Sequence, residues 1–256
     1  GDLGLYYGVY PRPDGQYPSK LDIQGADGKF HESDLLGSRH DDDYKAIGAH
    51  LGHNDKIDLI VIGSRGVLRI QNDVADGPQK ENIQKFRHPD QSVADVQIAD
   101  FDGDGILDVF AATASAKASV PDRIYRADGK GVLHDATAES GIGARKTYTV
   151  SATVGDFDND GDIDIAALQR KNGIKILFWE NDGTGKFTSS LYAKYDDDGR
   201  DSEILSGDFN NDGWLDFIVS TGHGGQTGHN IARGTYNLFT QDPGQENWLK
   251  ISLKGV

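Results

Sequence analysis

Three nine-residue stretches hold the residues best suited to chemistry. "DFDGDGILD" at 100–108, "DFDNDGDID" at 156–164 and "DFNNDGWLD" at 208–216 share one pattern. Positions 1, 3 and 5 are Asp or Asn, position 6 is Gly and position 9 is Asp. Hard cations bind through oxygen, and Ca2+ takes about 6–8 oxygen ligands at ~2.3–2.6 Å. Alternate residues of a tight loop can turn such oxygens toward one centre, with a backbone carbonyl from position 7. Gly at position 6 permits the sharp turn with φ > 0. The first candidate site is then Asp100, Asp102, Asp104, the carbonyl of Ile106 and Asp108. The second is Asp156, Asp158, Asp160, the carbonyl of Asp162 and Asp164. The third is Asp208, Asn210, Asp212, the carbonyl of Trp214 and Asp216, where Asn210 keeps an oxygen but drops a charge. Three Ca2+ ions are expected. Mg2+ fits less well, because it prefers a small octahedron rich in water. A fourth stretch, 50–58, has His50, Gly52 and Asn54 in the ligand places and is expected to hold no ion.

The elements that must position these loops emerge from their spacing. Taking the position-6 residue as a marker, and adding the weaker echoes at 1–8 and 49–63, the marks fall at 1, 55, 105, 161 and 213. This is a repeat of roughly 53 residues, in the size range of propeller blades. Each unit has the same order: an apolar segment into the acidic loop, one out of it ("LDVFAAT", "IDIAALQ", "LDFIVST"), a third ending in a Gly turn, and a fourth after it. The exits are short and rich in Val, Ile, Leu and Phe, which reads as strand rather than helix. Four short strands per unit predict an all-β propeller of four-stranded blades. A sandwich with coincidental loops would not align five acidic hairpins, and solenoid repeats are usually shorter. The chain enters at the second strand of its first unit, so further blades are expected upstream. Residues 1–246 are assigned to the repeats and 247–256 to a last strand or the start of a further domain.

Composition narrows the function classes. The 256 residues include 33 Gly, as many tight turns require, and neither Cys nor Met. No disulfide or thiolate metal site is possible, and the lack of Met suggests a processed protein or a fragment. The net charge of -15 argues against nucleic acid, whose phosphates need a basic patch. No apolar run approaches the ~18–20 residues of a membrane-spanning helix.

The acidic hairpins resemble the FG-GAP/VCBS repeats of integrin-like propellers. The segment "RIYRADGKGVLHDATAESGIG", followed by "GDFDNDGDIDIAAL", is similar to the cartilage-acidic-protein and ASPIC/UnbV group. The end, "NLFTQDPGQENWLKISLKGV", resembles the entry to that group's C-terminal domain. The resemblance implies a secreted, cell-surface or periplasmic Ca2+-binding propeller, usually seven-bladed, used for adhesion, assembly or ligand binding. It implies no reaction.

The loops at the opposite end of the strands carry the remaining unusual residues. His223, His229 and Arg233 lie in a long Gly-rich loop, with Arg145, Lys146 and Arg170 as a basic patch. Long loops on a rigid scaffold are common binding sites. Three readings stay open for this face: a solvated rim, a site for a protein or glycan partner (a lectin), and a carbohydrate-active enzyme such as a polysaccharide lyase or dehydratase. No nucleophile motif, phosphate loop or H-E-x-x-H is present, which leaves an enzyme the lesser reading. Trp179, Trp214 and Trp248 are expected to pack between blades rather than to stack on sugars. The oligomeric state is not legible.

Overall fold

The structure is a computed structural model. It describes residues 4–7, 20–24, 27, 29–33, 43–53, 57–63, 66–70, 83–87, 92–114, 120–170, 173–195, 201–222, 235–240 and 249–253.

Among the described residues, consecutive strands pair antiparallel into five sheets, each in simple meander order. The first has three strands: β1 (Gly4–Tyr7), β2 (Lys20–Gln24) and β3 (Phe30–Ser33). The second has β4 (Asp43–Ala49), β5 (Asp58–Gly63), β6 (Gly66–Ile70) and β7 (Ile83–Arg87). In the third are β8 (Ser92–Ala99), β9 (Asp108–Ala114), β10 (Arg123–Ala127) and β11 (Leu133–Asp135). The fourth contains β12 (Thr149–Gly155), β13 (Asp164–Gln169), β14 (Ile174–Asn181) and β15 (Phe187–Tyr195). The fifth contains β16 (Asp201–Gly207), β17 (Asp216–Gly222), β18 (Thr235–Thr240) and β19 (Leu249–Leu253). These are propeller blades: an all-β chain of repeated four-stranded antiparallel sheets. Residues 249–253 pair with β18 as the fourth strand of the fifth sheet. No helix among the described residues is long and apolar enough to cross a membrane.

Side chains alternate between the two faces of a strand, and here both faces are covered. On β13, Ile165 and Ala167 join the core shared with Phe110 and Ile124 of the third sheet. Ala166 and Leu168 join the core shared with Phe217 and Val219 of the fifth. A third core lies between the second and third sheets, around Ile60, Ile62, Val109 and Tyr125. This is why the exit strands read as continuous apolar runs rather than alternating ones. Trp179 is 1% exposed within the core between the third and fourth sheets, a packing role.

Polar side chains stitch the first strands of successive blades. Asp95 on β8 accepts the N–H of Ala152 on β12 and pairs with Lys45 on β4. Ser151 on β12 in turn accepts the N–H of Ile204 on β16. One difference from the sequence expectation is the fourth strand of the third blade, which covers only Leu133–Asp135. Asp135 accepts the N–H of Thr137 through its carboxylate, which turns the chain toward a 3-10 turn at Ile142–Ala144.

Candidate metal centre

The acidic loops join the first strand of a blade to the second: β8 to β9, β12 to β13 and β16 to β17. Each closes on its own first carboxylate. Asp100 Oδ1 accepts the N–H groups of Gly103 at 2.8 Å and Asp104 at 3.2 Å, and Oδ2 accepts that of Gly105 at 2.8 Å. Asp156 accepts from Asp160 and Gly161, both at 3.1 Å. Asp208 accepts from Asp212 at 3.1 Å and Gly213 at 3.0 Å. The position-6 glycines have φ of 85°, 97° and 88° at Gly105, Gly161 and Gly213. A Cβ there would meet nothing within 4 Å, so backbone angle, not space, selects Gly.

Position 9 is a buried anchor. Asp108, Asp164 and Asp216 are at most 1% exposed and accept the N–H of the aromatic residue at position 2: Phe101 at 3.3 Å, Phe157 at 3.0 Å and Phe209 at 3.1 Å. The other oxygen of Asp108 accepts the N–H of Ala127, and that of Asp164 the N–H of Asn181. Burial pushes both carboxyls up to about 7, although these N–H donors act in the opposite direction. Burial, then the charge of Asp104, raises Asp102. Burial, then Asp160, raises Asp158. Like charges this close disfavour joint ionisation, and a proton or a cation relieves them equally in sign.

The structure brings positions 1, 3 and 9 together in two loops. Asp100, Asp102 and Asp108 each offer an oxygen within 4.8 Å of the others, and so do Asp156, Asp158 and Asp164. Asp102 Oδ1 is buried with no hydrogen-bond partner. A hard oxygen donor set around an orphaned buried oxygen fits a divalent cation. The position-5 carboxylates accept the N–H of position 7 instead: Asp104 from Ile106 at 2.8 Å, Asp160 from Asp162 and Asp212 from Trp214 at 2.9 Å. In the third loop, Asn210 Nδ2 donates to Asp212 Oδ2 at 2.7 Å, a contact within the ligand set itself.

Residues 100–167 and 156–219 match the family model described as FG-GAP-like repeat. Together the two matches cover residues 100–219. Over 98% of its length the chain is also similar in structure to a lectin of Agrocybe aegerita, studied for its specific recognition of non-reducing terminal N-acetylglucosamine. The TM-score is 0.52 and the identity 17%, so the likeness concerns the fold alone. The chain spans 66% of that lectin's length. No curated protein is significantly similar to it.

Two features of the acidic loops are not read from the pattern of acids. Position 4 is also left-handed, with φ of 72° at Gly103 and 60° at both Asn159 and Asn211. Gly and Asn are the residues that tolerate this region, so their recurrence at position 4 was the available signal. The second feature is the turn after β14. Asn181, 3% exposed, donates from Nδ2 to the carbonyls of Phe101 at 2.8 Å and Ile163 at 3.0 Å, tying two loops of neighbouring blades. Nothing in the acid spacing marks it.

At the other end of the fourth blade, Arg145 and Lys146 are exposed and Arg170 is half-buried. The N–H of Arg170 donates to Tyr148 at 3.1 Å, which places all three on one rim; Arg145 reaches Ser189 Oγ at 3.2 Å. His223, His229 and Arg233 lie outside the described residues, as do Asn54 of the 50–58 loop and Trp248.

Proposed function

We propose that this chain is a calcium-binding β-propeller of a secreted or cell-surface protein, acting as a ligand-binding, adhesion or assembly module. The observation that carries the calcium reading is the convergence of three carboxylates in each of two loops, one with a buried, unpartnered oxygen. Asp100, Asp102 and Asp108 would hold one ion, and Asp156, Asp158 and Asp164 a second. Asp104, Asp160 and the carbonyls of Ile106 and Asp162 would complete these shells. Asp208, Asn210, Asp212, Asp216 and the carbonyl of Trp214 would form a third, weaker site. Calcium neutralises the loop charge; the chain's own backbone N–H groups already orient the first and last carboxylates of each loop. FG-GAP-like repeats over 100–219 support this reading. Calorimetry should find three Ca2+ per chain, and fewer than two would overturn it.

For the ligand, a glycan is favoured, because a structural neighbour is a lectin. The proposed face is the rim opposite the calcium loops, with Arg145, Lys146 and Arg170 and, from the loop after the second strand of the next unit, His223, His229 and Arg233. The finer placement in the cartilage-acidic-protein and ASPIC/UnbV group, with seven blades in the whole protein, rests on the segment at 123–143. A glycan array that includes terminal N-acetylglucosamine, read with and without Ca2+, tests the module. Saturable, Ca2+-dependent binding supports it; turnover of a polysaccharide would favour a lyase instead.

A further inference from the structure

We propose that Arg126 and Glu180, at equivalent positions of neighbouring blades, set an order of calcium binding in which the 156–164 loop fills before the 100–108 loop. This rests on the calcium reading above.

The equivalence is geometric. The N–H of Ala127 donates to position 9 of its loop, Asp108, and the N–H of Asn181 donates to position 9 of its own, Asp164. The residue before each is therefore the same place in the blade, and it carries opposite charge: Arg126 in one, Glu180 in the other. Register agrees, since Tyr125 pairs with Val109 and Trp179 with Ile165.

Arg126 is a built-in cation beside the first loop. Its Nε lies 3.5 Å from Asp102 Oδ2, the position-3 carboxylate. Its Nη2 donates to the carbonyls of Thr184 at 3.0 Å and Gly185 at 2.8 Å, in the turn after β14 of the next blade. A Cβ on Gly185 would collide with this guanidinium, so the turn is shaped to receive it. Asp102 is thus divided: Oδ2 faces the guanidinium, while Oδ1 is buried without a partner. Arg126 positions the carboxylate and also opposes a second cation.

The second loop has the reverse field. Glu180, exposed, stands where the blade of the first loop has Arg126, one residue before Asn181, whose N–H donates to Asp164. Position 7 is Asp162 where the first loop has Ile106, and a Cβ on Gly183 would lie 2.5 Å from Asp162 Oδ2. The first loop has four Asp and Arg126 beside it, with Glu139 4.0 Å from the far side of that guanidinium; the second loop has five Asp and Glu180 in the place of Arg126. A charge a few ångströms from a divalent ion changes affinity by about tenfold or more at the high effective dielectric of a partly exposed site.

The test uses loops isolated in pairs of substitutions. Asp156→Ala with Asp208→Ala leaves only 100–108, and Asp100→Ala with Asp208→Ala leaves only 156–164. Calcium titration by calorimetry should show the second at least about tenfold tighter. Arg126→Gln should tighten the isolated 100–108 site about fivefold or more, Arg126→Lys should leave it near its starting value, and Glu180→Gln should weaken the isolated 156–164 site several-fold. These differences should shrink as salt rises. Melting curves in chelator report folding of each variant, and Arg126→Lys and Glu180→Gln carry the test if Arg126→Gln does not fold. Equal affinities of the two loops, or affinities unmoved by both Arg126→Gln and Glu180→Gln in folded protein, would overturn the order while leaving the calcium reading intact. Absence of calcium binding by the unaltered chain would overturn that reading itself.

Discussion

The loop at 50–58 and the loop at 156–164 occupy the same place in their blades, between the first strand and the second. The second is crowded with carboxylates; the first has His50 and Gly52 where ligands would be. Yet both keep Asp at position 9, and both bury it: Asp58 is 1% exposed and Asp164 0%. Both also bury a large apolar residue at position 2, Leu51 and Phe157, each 1% exposed. In the first loop the space beside position 3 is filled by chain: a Cβ on Gly52 would lie 2.9 Å from the backbone of Gly131 in the next blade, and the N–H of His53 donates to Gly129. The lesson is that position 9 belongs to the fold first. Positions 1 and 3, by contrast, differ between the loop with an acidic cluster and the loop without one.

The strongest way to break this comparison is to remove position 9 from both loops. Asp164→Ala leaves the buried N–H groups of Phe157 and Asn181 without acceptors, at a cost of about 2–4 kcal/mol. Asp58→Ala should cost a similar amount although its loop lacks the acidic cluster. Urea melts in excess chelator measure both, and a wild-type melt for Asp58→Ala would show that the two aspartates are not equivalent.

Position 3 should behave in the opposite way. Asp158→Ala removes a ligand oxygen but no buried anchor, so its melt in chelator should match or exceed that of the unaltered chain. With Ca2+ at a hundredfold excess over Kd it should forgo about 2.7 kcal/mol of ion-linked stability. A differential scan with and without calcium reads this directly. A large loss in chelator would mean that position 3 is structural too.

A buried carboxylate outside any cluster separates the effect of burial from that of crowding. Asp122 is 0% exposed and accepts the N–H of Thr113 and the hydroxyl of Thr149, both at 2.8 Å. Burial pushes its carboxyl up to about 6. With the folded value above the unfolded one, the folded state binds the extra proton, so this contribution is present at low pH and lost as pH rises from about 4 to 6. The loss should be on the order of 1 kcal/mol per pH unit in that window. Asp122→Asn should flatten stability between pH 4 and 6; an unchanged slope would assign it to other groups.

The smallest effect concerns the third loop. Asn210→Asp replaces the contact to Asp212 with a fourth carboxylate, and should raise calcium affinity at 208–216 about fivefold. Trp214, at position 7, gives a local fluorescence readout of that loop once Trp179 and Trp248 are replaced by Phe.

Much of this architecture was legible in the chain because it repeats. Short continuous apolar runs, Gly turns and acid spacing depend on local backbone geometry, so strands such as 108–114 and 164–169 and the loops that lead into them follow from neighbouring residues. The all-β repeat and the crowding of Asp100, Asp102 and Asp108 needed no knowledge of distant contacts. What residues far apart in sequence do to one another was not legible. Asp95 gripping the N–H of Ala152, Asn181 spanning Phe101 and Ile163, and Arg126 reaching the carbonyls of Thr184 and Gly185 all join different blades. Their types are unremarkable in sequence, because an Arg or Asn on a strand end is usually solvated. Only packing one blade on the next gives them partners. Within each loop, spacing treats position 5 as equal to positions 1, 3 and 9, whereas the folded loop turns one of its oxygens to the N–H of position 7.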